Sequence, residues 1–289
     1  MSKILKYAAA GVAAACLPTG AALAAWELNM PVGVTELSRD IHWLHMLIFW
    51  ICVIIAVAVF SVMIYSIVRF RHSQGAVSAK FDHSTKAEIV WTMIPVMILV
   101  AMAIPAAETL IRIEDTRNSE LSIKVTGYQW KWQYEYLDQK VSFFSTLARN
   151  DDAARQVGSG IDPNSIEHYL LNVDKPLVVP VDTKVRVLLT SADVIHAWWV
   201  PSFGMKKDAI PGFVNELWFK AEQVGTYRGQ CAELCGRDHG FMPVVVEVKS
   251  KEDYAAWLKS QQGGDSAVAQ SGDQKVNDGA TAAVVAKAE

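Results

Sequence analysis

The sequence predicts a two-helix transmembrane hairpin followed by an exported all-β domain. Three features point to it. Two long apolar runs lie close together in the first part of the chain. A period-two alternation of apolar and polar residues begins after them. The N-terminus is basic, then apolar, and ends in a small-residue motif of the kind that precedes export.

The chain opens Met1-Ser2-Lys3 with a second lysine at Lys6, and its small apolar residues end at Ala22-Leu23-Ala24. This pattern describes a secretory signal peptide over 1–24, with cleavage after Ala24 or, nearly equally, after Ala25. Pro18 and Gly20 break the stretch, which suits cleavage better than a permanent span. Cys16 follows three alanines, but its flanks are weak for a lipoprotein site. The spans fall at about 44–68 and 89–109, each near the ~20 residues needed to cross hydrocarbon. Arg69, Phe70, Arg71 and His72 stop the first, and Lys86 and Glu88 open the second. Pro95 and Pro105 are tolerated there when neighbouring groups re-satisfy the backbone. Arg69, Arg71, Lys80 and Lys86 bias the connecting loop inward. An exported N-terminus followed by two spans returns the chain to the exported side. The hydrophobic share of 52% sits mainly in this first part, and a net charge of −3 without a long basic run excludes a nucleic-acid partner.

From Leu121 the period becomes two. Ile123 and Val125 alternate with polar residues, then Trp130, Trp132, Tyr134 and Tyr136 alternate on the opposite parity. The parity switch predicts a bulge or bend near Gly127. Further strands are expected at Leu177–Val181, Lys184–Thr190, Asn215–Lys220, Gly225–Gly229 and Pro243–Lys249, with Pro, Gly and Asp between them. Many short strands without helices between them make a β-sandwich or barrel, expected over 112–260. Ser145 to Glu167 lacks the alternation and reads as an insertion, partly helical. Ser250-Lys251-Glu252-Asp253 predicts a capped helix through Leu258. Residues 261–289 contain no aromatic residue and are expected to form a disordered tail.

Of four cysteines, Cys16 leaves with the signal peptide and Cys52 lies in an apolar run, so the exported portion keeps Cys231 and Cys235. Cys231-Ala232-Glu233-Leu234-Cys235-Gly236-Arg237-Asp238-His239-Gly240-Phe241-Met242 places two thiols, an imidazole and a thioether within twelve residues. His196 ends a strand-like run upstream. Thiolate and thioether ligands favour copper. One cysteine suffices for a mononuclear blue-copper site; two can bridge a pair of ions, with His196 and His239 capping one each. Met242 and the Glu233 carbonyl can fill weak axial positions. Three alternatives stay open. A disulfide leaves His196, His239 and Met242 without a role. Structural zinc leaves Met242 without one. A copper-delivery protein needs neither the hairpin nor the aromatic strand.

The run Gly229 to Pro243 closely resembles the dinuclear copper loop of the cytochrome c oxidase subunit II family. His196-Ala197-Trp198, Asp208-Ala209-Ile210-Pro211-Gly212, the aromatic stretch Gly127 to Tyr136, and Glu88 to Pro95 at the start of the second span resemble it too. The resemblance covers about residues 40 to 250. It implies a cupredoxin-like Greek-key domain on a two-helix anchor, with His196, Cys231, Glu233, Cys235, His239 and Met242 as ligands of two copper ions. It further implies a magnesium ion shared with subunit I through the Glu233 side chain, and Trp130 as the indole through which electrons arrive from cytochrome c. By the residues alone, Trp130 reads as a core tryptophan of the aromatic stripe. Glu135, Asp138 and Asp193 resemble the acidic residues that dock cytochrome c, and Glu88 the mouth of a proton path. The implied activity is a proton-translocating oxidoreductase complex with subunits I and III in the lipid of the inner membrane, reducing oxygen to water. A quinol-oxidase subunit shares the fold but should lack these ligands. No Cys-x-x-Cys-His occurs in the sequence, so the haem-bearing donor is a separate protein.

Overall fold

A computed structural model describes residues 29–77, 79–80 and 82–272, so the expected signal peptide at 1–24 lies outside the described residues, as do 273–289. Helix α1, Glu36–Arg69, and helix α2, Thr85–Ile113, are long and apolar enough to cross a membrane. Both exceed the apolar runs, because hydropathy marks only the part that hydrocarbon needs. The start of α1 is fixed instead by a capping box. Thr35 accepts from the Ser38 N–H at 2.9 Å, and Ser38 Oγ accepts from the Thr35 N–H at 3.1 Å. Pro95 and Pro105 lie inside α2 without ending it.

The outer end of the hairpin is seated in the β domain. Leu37, 1% exposed, belongs to that domain's core. Thr35 Oγ1 donates to the Phe203 carbonyl at 2.9 Å, and Val34 N–H donates to the Ser202 carbonyl at 2.8 Å. Arg112, one residue before the end of α2, pairs with Glu36 at 2.5 Å and Asp40 at 2.6 Å, while its carbonyl accepts from Trp218 Nε1 at 3.0 Å.

The strands are β1 Leu121–Tyr128, β2 Lys131–Tyr136, β3 Val141–Ser145, β4 Leu177–Pro180, β5 Val185–Ser191, β6 His196–Val200, β7 Met205–Ala209, β8 Asn215–Phe219, β9 Gly225–Cys231 and β10 Pro243–Lys249. They form two five-stranded sheets, ordered β3-β2-β1-β5-β8 and β4-β10-β9-β6-β7. The β1–β5 and β4–β10 pairs are parallel and the others antiparallel, so the chain crosses between the sheets. Trp132, Tyr134, Tyr136, Trp198, Phe203 and Phe219 fill the space between them and are fully buried.

The parity switch near Gly127 is a chain reversal and not a bulge. Tyr128 pairs with Lys131 across the two-residue turn Gln129-Trp130, and Val125 and Ile123 lie opposite Tyr134 and Tyr136 on one inward face. Reversing direction through two residues changes the sequence parity of that face without a bulge. Strand β7 carries only Met205 and Ala209 as buried residues and lies at a sheet edge, where alternation is weak. The insertion contains the short helix α3, Arg149–Ala154. The last helix, α4, Lys251–Gly272, runs beyond Leu258 into the expected disordered tail. Its Gln, Ser and Ala residues tolerate a helix once it is started. Trp257 anchors that start against Tyr136, with ring centroids 5.3 Å apart.

Tyr136 also ties the sheets together at the end near α4. Its hydroxyl donates to the Val178 carbonyl at 2.7 Å and accepts from the Val178 N–H at 3.0 Å. Tyr136→Phe leaves both buried backbone groups without that partner, so we expect a loss of about 1–3 kcal/mol in chemical denaturation, with metal uptake unchanged. A change below about 0.5 kcal/mol would show that the hydroxyl does not brace the sandwich.

Candidate metal centre

Two adjacent strands deliver the first ligands. In the β6–β9 pair Trp198 lies opposite Cys231, which brings His196, the first residue of β6, beside the last residue of β9. The chain leaves β9 at Cys231 and returns at Pro243, opposite Gln230, so residues 232–242 form a loop closed at its base. Glu233, Cys235, His239 and Met242 all lie on it.

The donor atoms converge. Cys231 Sγ is 3.8 Å from His196 Nδ1, 3.9 Å from Cys235 Sγ and 3.4 Å from the Glu233 carbonyl oxygen. Cys235 Sγ is 3.4 Å from His239 Nδ1 and 3.6 Å from Met242 Sδ. The thiols are free, far beyond the ~2.05 Å of a disulfide. Ligands on one tetrahedral ion with bonds of ~2.0–2.3 Å stand ~3.3–3.8 Å apart. The observed spacings fall close to that range, so the set fits thiophilic metal shared between the two sulfurs. His196, Cys231, Cys235 and Met242 are buried, whereas the Glu233 side chain is exposed.

His196 is held from behind. Its Nε2 lies 2.9 Å from Asp193 Oδ1, which assigns the proton to Nε2 and turns the Nδ1 lone pair toward the thiols. Asp193 also accepts from the backbone N–H groups of Gln129 at 2.7 Å and Val194 at 2.6 Å. Burial opposes its ionisation, but these bonds outweigh burial and hold its carboxyl below the ordinary value. The thiols diverge. Burial works against ionisation of Cys231, yet His196 and nearby backbone groups lower its pKa. Burial, then the neighbouring Cys231 charge, pushes Cys235 up to about 12.

Gly127 makes room for this imidazole. A Cβ there would sit 2.8 Å from His196 Cδ2. Trp132 covers His196 edge-on at 5.8 Å and donates through Nε1 to the Met242 carbonyl at 3.3 Å. Trp130, in the turn beyond β1, is not part of the buried stripe. It is half-buried against Gly236, where a Cβ would be 3.2 Å from Trp130 Cζ2, and φ is +118°. Beside it, Gln129 Nε2 donates to the Cys235 carbonyl at 2.9 Å.

The other expected residues lie elsewhere. Asp193 is engaged with the His196 imidazole and stays partly exposed. Glu135 pairs with Lys124 at 2.8 Å and lies five residues from Trp130, ~16 Å along a strand. Asp138 is exposed in the turn beyond β2. Glu88 lies in the first turn of α2, where its carboxylate accepts from the Ser84 N–H at 3.2 Å. It is ~38 Å along the helix from the sandwich end. Sequence reasoning missed Gly127 and the orienting role of Asp193. The spacing Asp193-x-x-His196 was the signal available, but a nearby carboxylate has too many ordinary uses to stand out.

Residues 121–249 match the family model described as cytochrome c oxidase subunit II, periplasmic domain, and residues 23–108 match that of its transmembrane domain. The chain is 40% identical over 238 residues to cytochrome c oxidase subunit 2 of Cereibacter sphaeroides, covering 80% of this chain and 78% of the relative. It is 38% identical over 236 residues to the probable cytochrome c oxidase subunit 2 of Rickettsia bellii, covering 82% and 84%. Among solved structures, the periplasmic domain of subunit II of cytochrome oxidase of Bradyrhizobium japonicum aligns with 42% identity and a TM-score of 0.45, over 51% of this chain and 97% of that one.

The tight fit at Gly127 gives a direct test of the site. Gly127→Ala should displace His196 and weaken metal binding about 10–100-fold in chelator competition, with the metal-free melting temperature nearly kept. Unchanged affinity would mean that His196 does not hold the metal in this position.

Proposed function

The chain belongs to the cytochrome c oxidase subunit II family, and from that premise we propose that its thiol–imidazole cluster holds two copper ions and accepts electrons from cytochrome c. One observation carries the reading: two unbonded thiols 3.9 Å apart, each with an imidazole Nδ1 within 3.8 Å. The set is nearly symmetric, as a pair of ions bridged by two thiolates requires. When bound, the copper pair supplies a reversible one-electron store.

His196, His239, Cys231 and Cys235 would hold the pair through imidazole nitrogen and thiolate sulfur, and Met242 with the Glu233 carbonyl would supply weaker contacts that tune its potential. The buried Trp132 and Trp198 keep water away, so little around the site must reorganise when charge changes. Trp130 is the indole through which the electron arrives, because its ring lies over Gly236, the neighbour of Cys235, close enough that a Cβ there would be 3.2 Å from it. Glu135 and Asp138 attract the basic face of cytochrome c, which mainly raises the encounter rate. Asp193, partly exposed while it holds His196, adds its charge to that face.

The electron then passes to haem in subunit I, where oxygen is reduced to water and protons are pumped. The hairpin holds this subunit beside subunits I and III in the lipid of the inner membrane, with the sandwich on the exported side. The Glu233 carboxylate, exposed in this chain, would supply one oxygen ligand to a magnesium ion at the boundary with subunit I. Glu88, at the inner start of α2, stands at the mouth of a proton path.

The reading is tested in the assembled oxidase by flash-initiated transfer from reduced cytochrome c. Trp130→Ala should slow transfer at least about tenfold, a barrier rise of ~1.4 kcal/mol, with copper content and docking nearly kept. Transfer at the wild-type rate would remove Trp130 from the path. Early melting with copper loss, of the ~3–5 kcal/mol size typical of a deleted core aromatic, would make Trp130 a packing residue.

A further inference from the structure

Unlike His196 and Cys231, which lie in strands, His239 sits on a short, half-exposed turn, His239–Phe241. His196 is oriented by Asp193, but among the described residues His239 has no such carboxylate, its polar side-chain contact being that between Nδ1 and Cys235 Sγ at 3.4 Å. A ligating imidazole without an outer partner must be held by its backbone. What holds this turn comes from the 145–167 insertion.

Helix α3 has six residues, too few to persist alone. It is anchored through Asp151, 1% exposed, which accepts from the Leu170 N–H at 2.5 Å and from Asn172 Nδ2 at 3.3 Å. Asn172 Oδ1 in turn accepts from Arg228 at 3.2 Å, and Arg228 lies in β9 three residues before Cys231. The insertion is therefore fastened to the strand that carries a ligand. From the end of α3, Arg155 reaches over the loop. Its Nε donates to Asp152 at 2.7 Å, a terminal nitrogen lies 3.7 Å from Asp238, and the guanidinium stands 4.3 Å above the Phe241 ring. The Arg155 side chain is 24% exposed and that of Asp238 16%. Asp238 and Phe241 bracket His239, and the Phe241 N–H donates to the Asp238 carbonyl at 2.9 Å. Arg155 thus grips both ends of the single turn that bears the ligand. A planar, half-buried guanidinium can pair with two carboxylates and stack on a ring at once, which an ammonium cannot.

We infer that Arg155 is a positioning residue, clamping the His239 turn to the insertion so that the loop imidazole is held in place for the metal. The inference rests on the copper reading above and gives the insertion its role.

The test uses the full chain in detergent, loaded with copper, and follows copper per chain, release to a chelator and reduction potential. Arg155→Ala should load normally but release copper about 10–100-fold faster, with a shifted potential and an unchanged metal-free melt. Arg155→Lys should restore part of the difference. Arg237→Ala, which removes the other arginine on Asp238 but one that is 82% exposed, should match the wild type. Release from Arg155→Ala at the wild-type rate overturns the inference, as does an equal effect of Arg237→Ala. If Arg155→Ala melts early without metal, Phe241→Leu decides: faster release from a chain with an unchanged melt supports the clamp, and wild-type release overturns it. A wild-type chain that takes up no copper overturns the copper reading instead, and this inference with it.

Discussion

Antiparallel pairing of β6 with β9 sets Trp198 opposite Cys231, and nearly everything about the site follows from it. The pairing brings an imidazole and a thiol that are 35 residues apart in sequence to within 3.8 Å. It leaves Glu233, Cys235, His239 and Met242 of the candidate donor set to the loop beyond Cys231. Because the loop is closed at its base by the Gln230–Pro243 pair, its length and content can serve the metal and not the sheet. Gly127 belongs to the opposite sheet and yields its side-chain space to His196, so the two sheets must pack at one fixed separation for the imidazole to fit.

The surrounding structure transmits that constraint outward. Trp132 and the core aromatics keep the site dry on the inside, while Asp193 and the Gln129 side chain fasten it to the turn that carries Trp130. The hairpin is seated in the same sandwich through Thr35, Leu37 and Arg112, so the site has a defined position relative to the outer end of both helices. For a relay of electrons this matters, because a donor site and an acceptor site are useful only at fixed separation. Rigidity of the junction and rigidity of the site serve one purpose.

How much of this was legible in the sequence depends on the kind of signal. Long apolar runs and thiol, imidazole and thioether side chains at close spacing are local, so the two helices, the sandwich and the candidate loop could be read directly, whereas His196 joins that loop only through folding. Reversals are not local: the alternation through Ile123, Val125, Trp132 and Tyr134 has the same form for a bulge as for a hairpin, and only the pairing decides. Edge strand β7 carries too few apolar residues to announce itself. Carboxylates were hardest to place, since their use depends on partners far away in the chain. Asp193, which resembles a docking charge, also holds the His196 imidazole, while Glu135 and Asp138 lie toward the far end of β2 from Trp130. Arg155 gave no sequence signal at all, because its partners Asp238 and Phe241 are brought to it only by folding.

The central claim is that both thiols belong to one two-ion cluster over which a single electron is shared. Metal analysis with electron paramagnetic resonance of the copper-loaded chain, reduced to leave one unpaired electron per site, addresses it directly. The account predicts two coppers per chain and a hyperfine pattern from one electron coupled equally to two copper nuclei. One copper per chain, a pattern confined to a single nucleus, or zinc taken up in preference to copper at matched loading would contradict it.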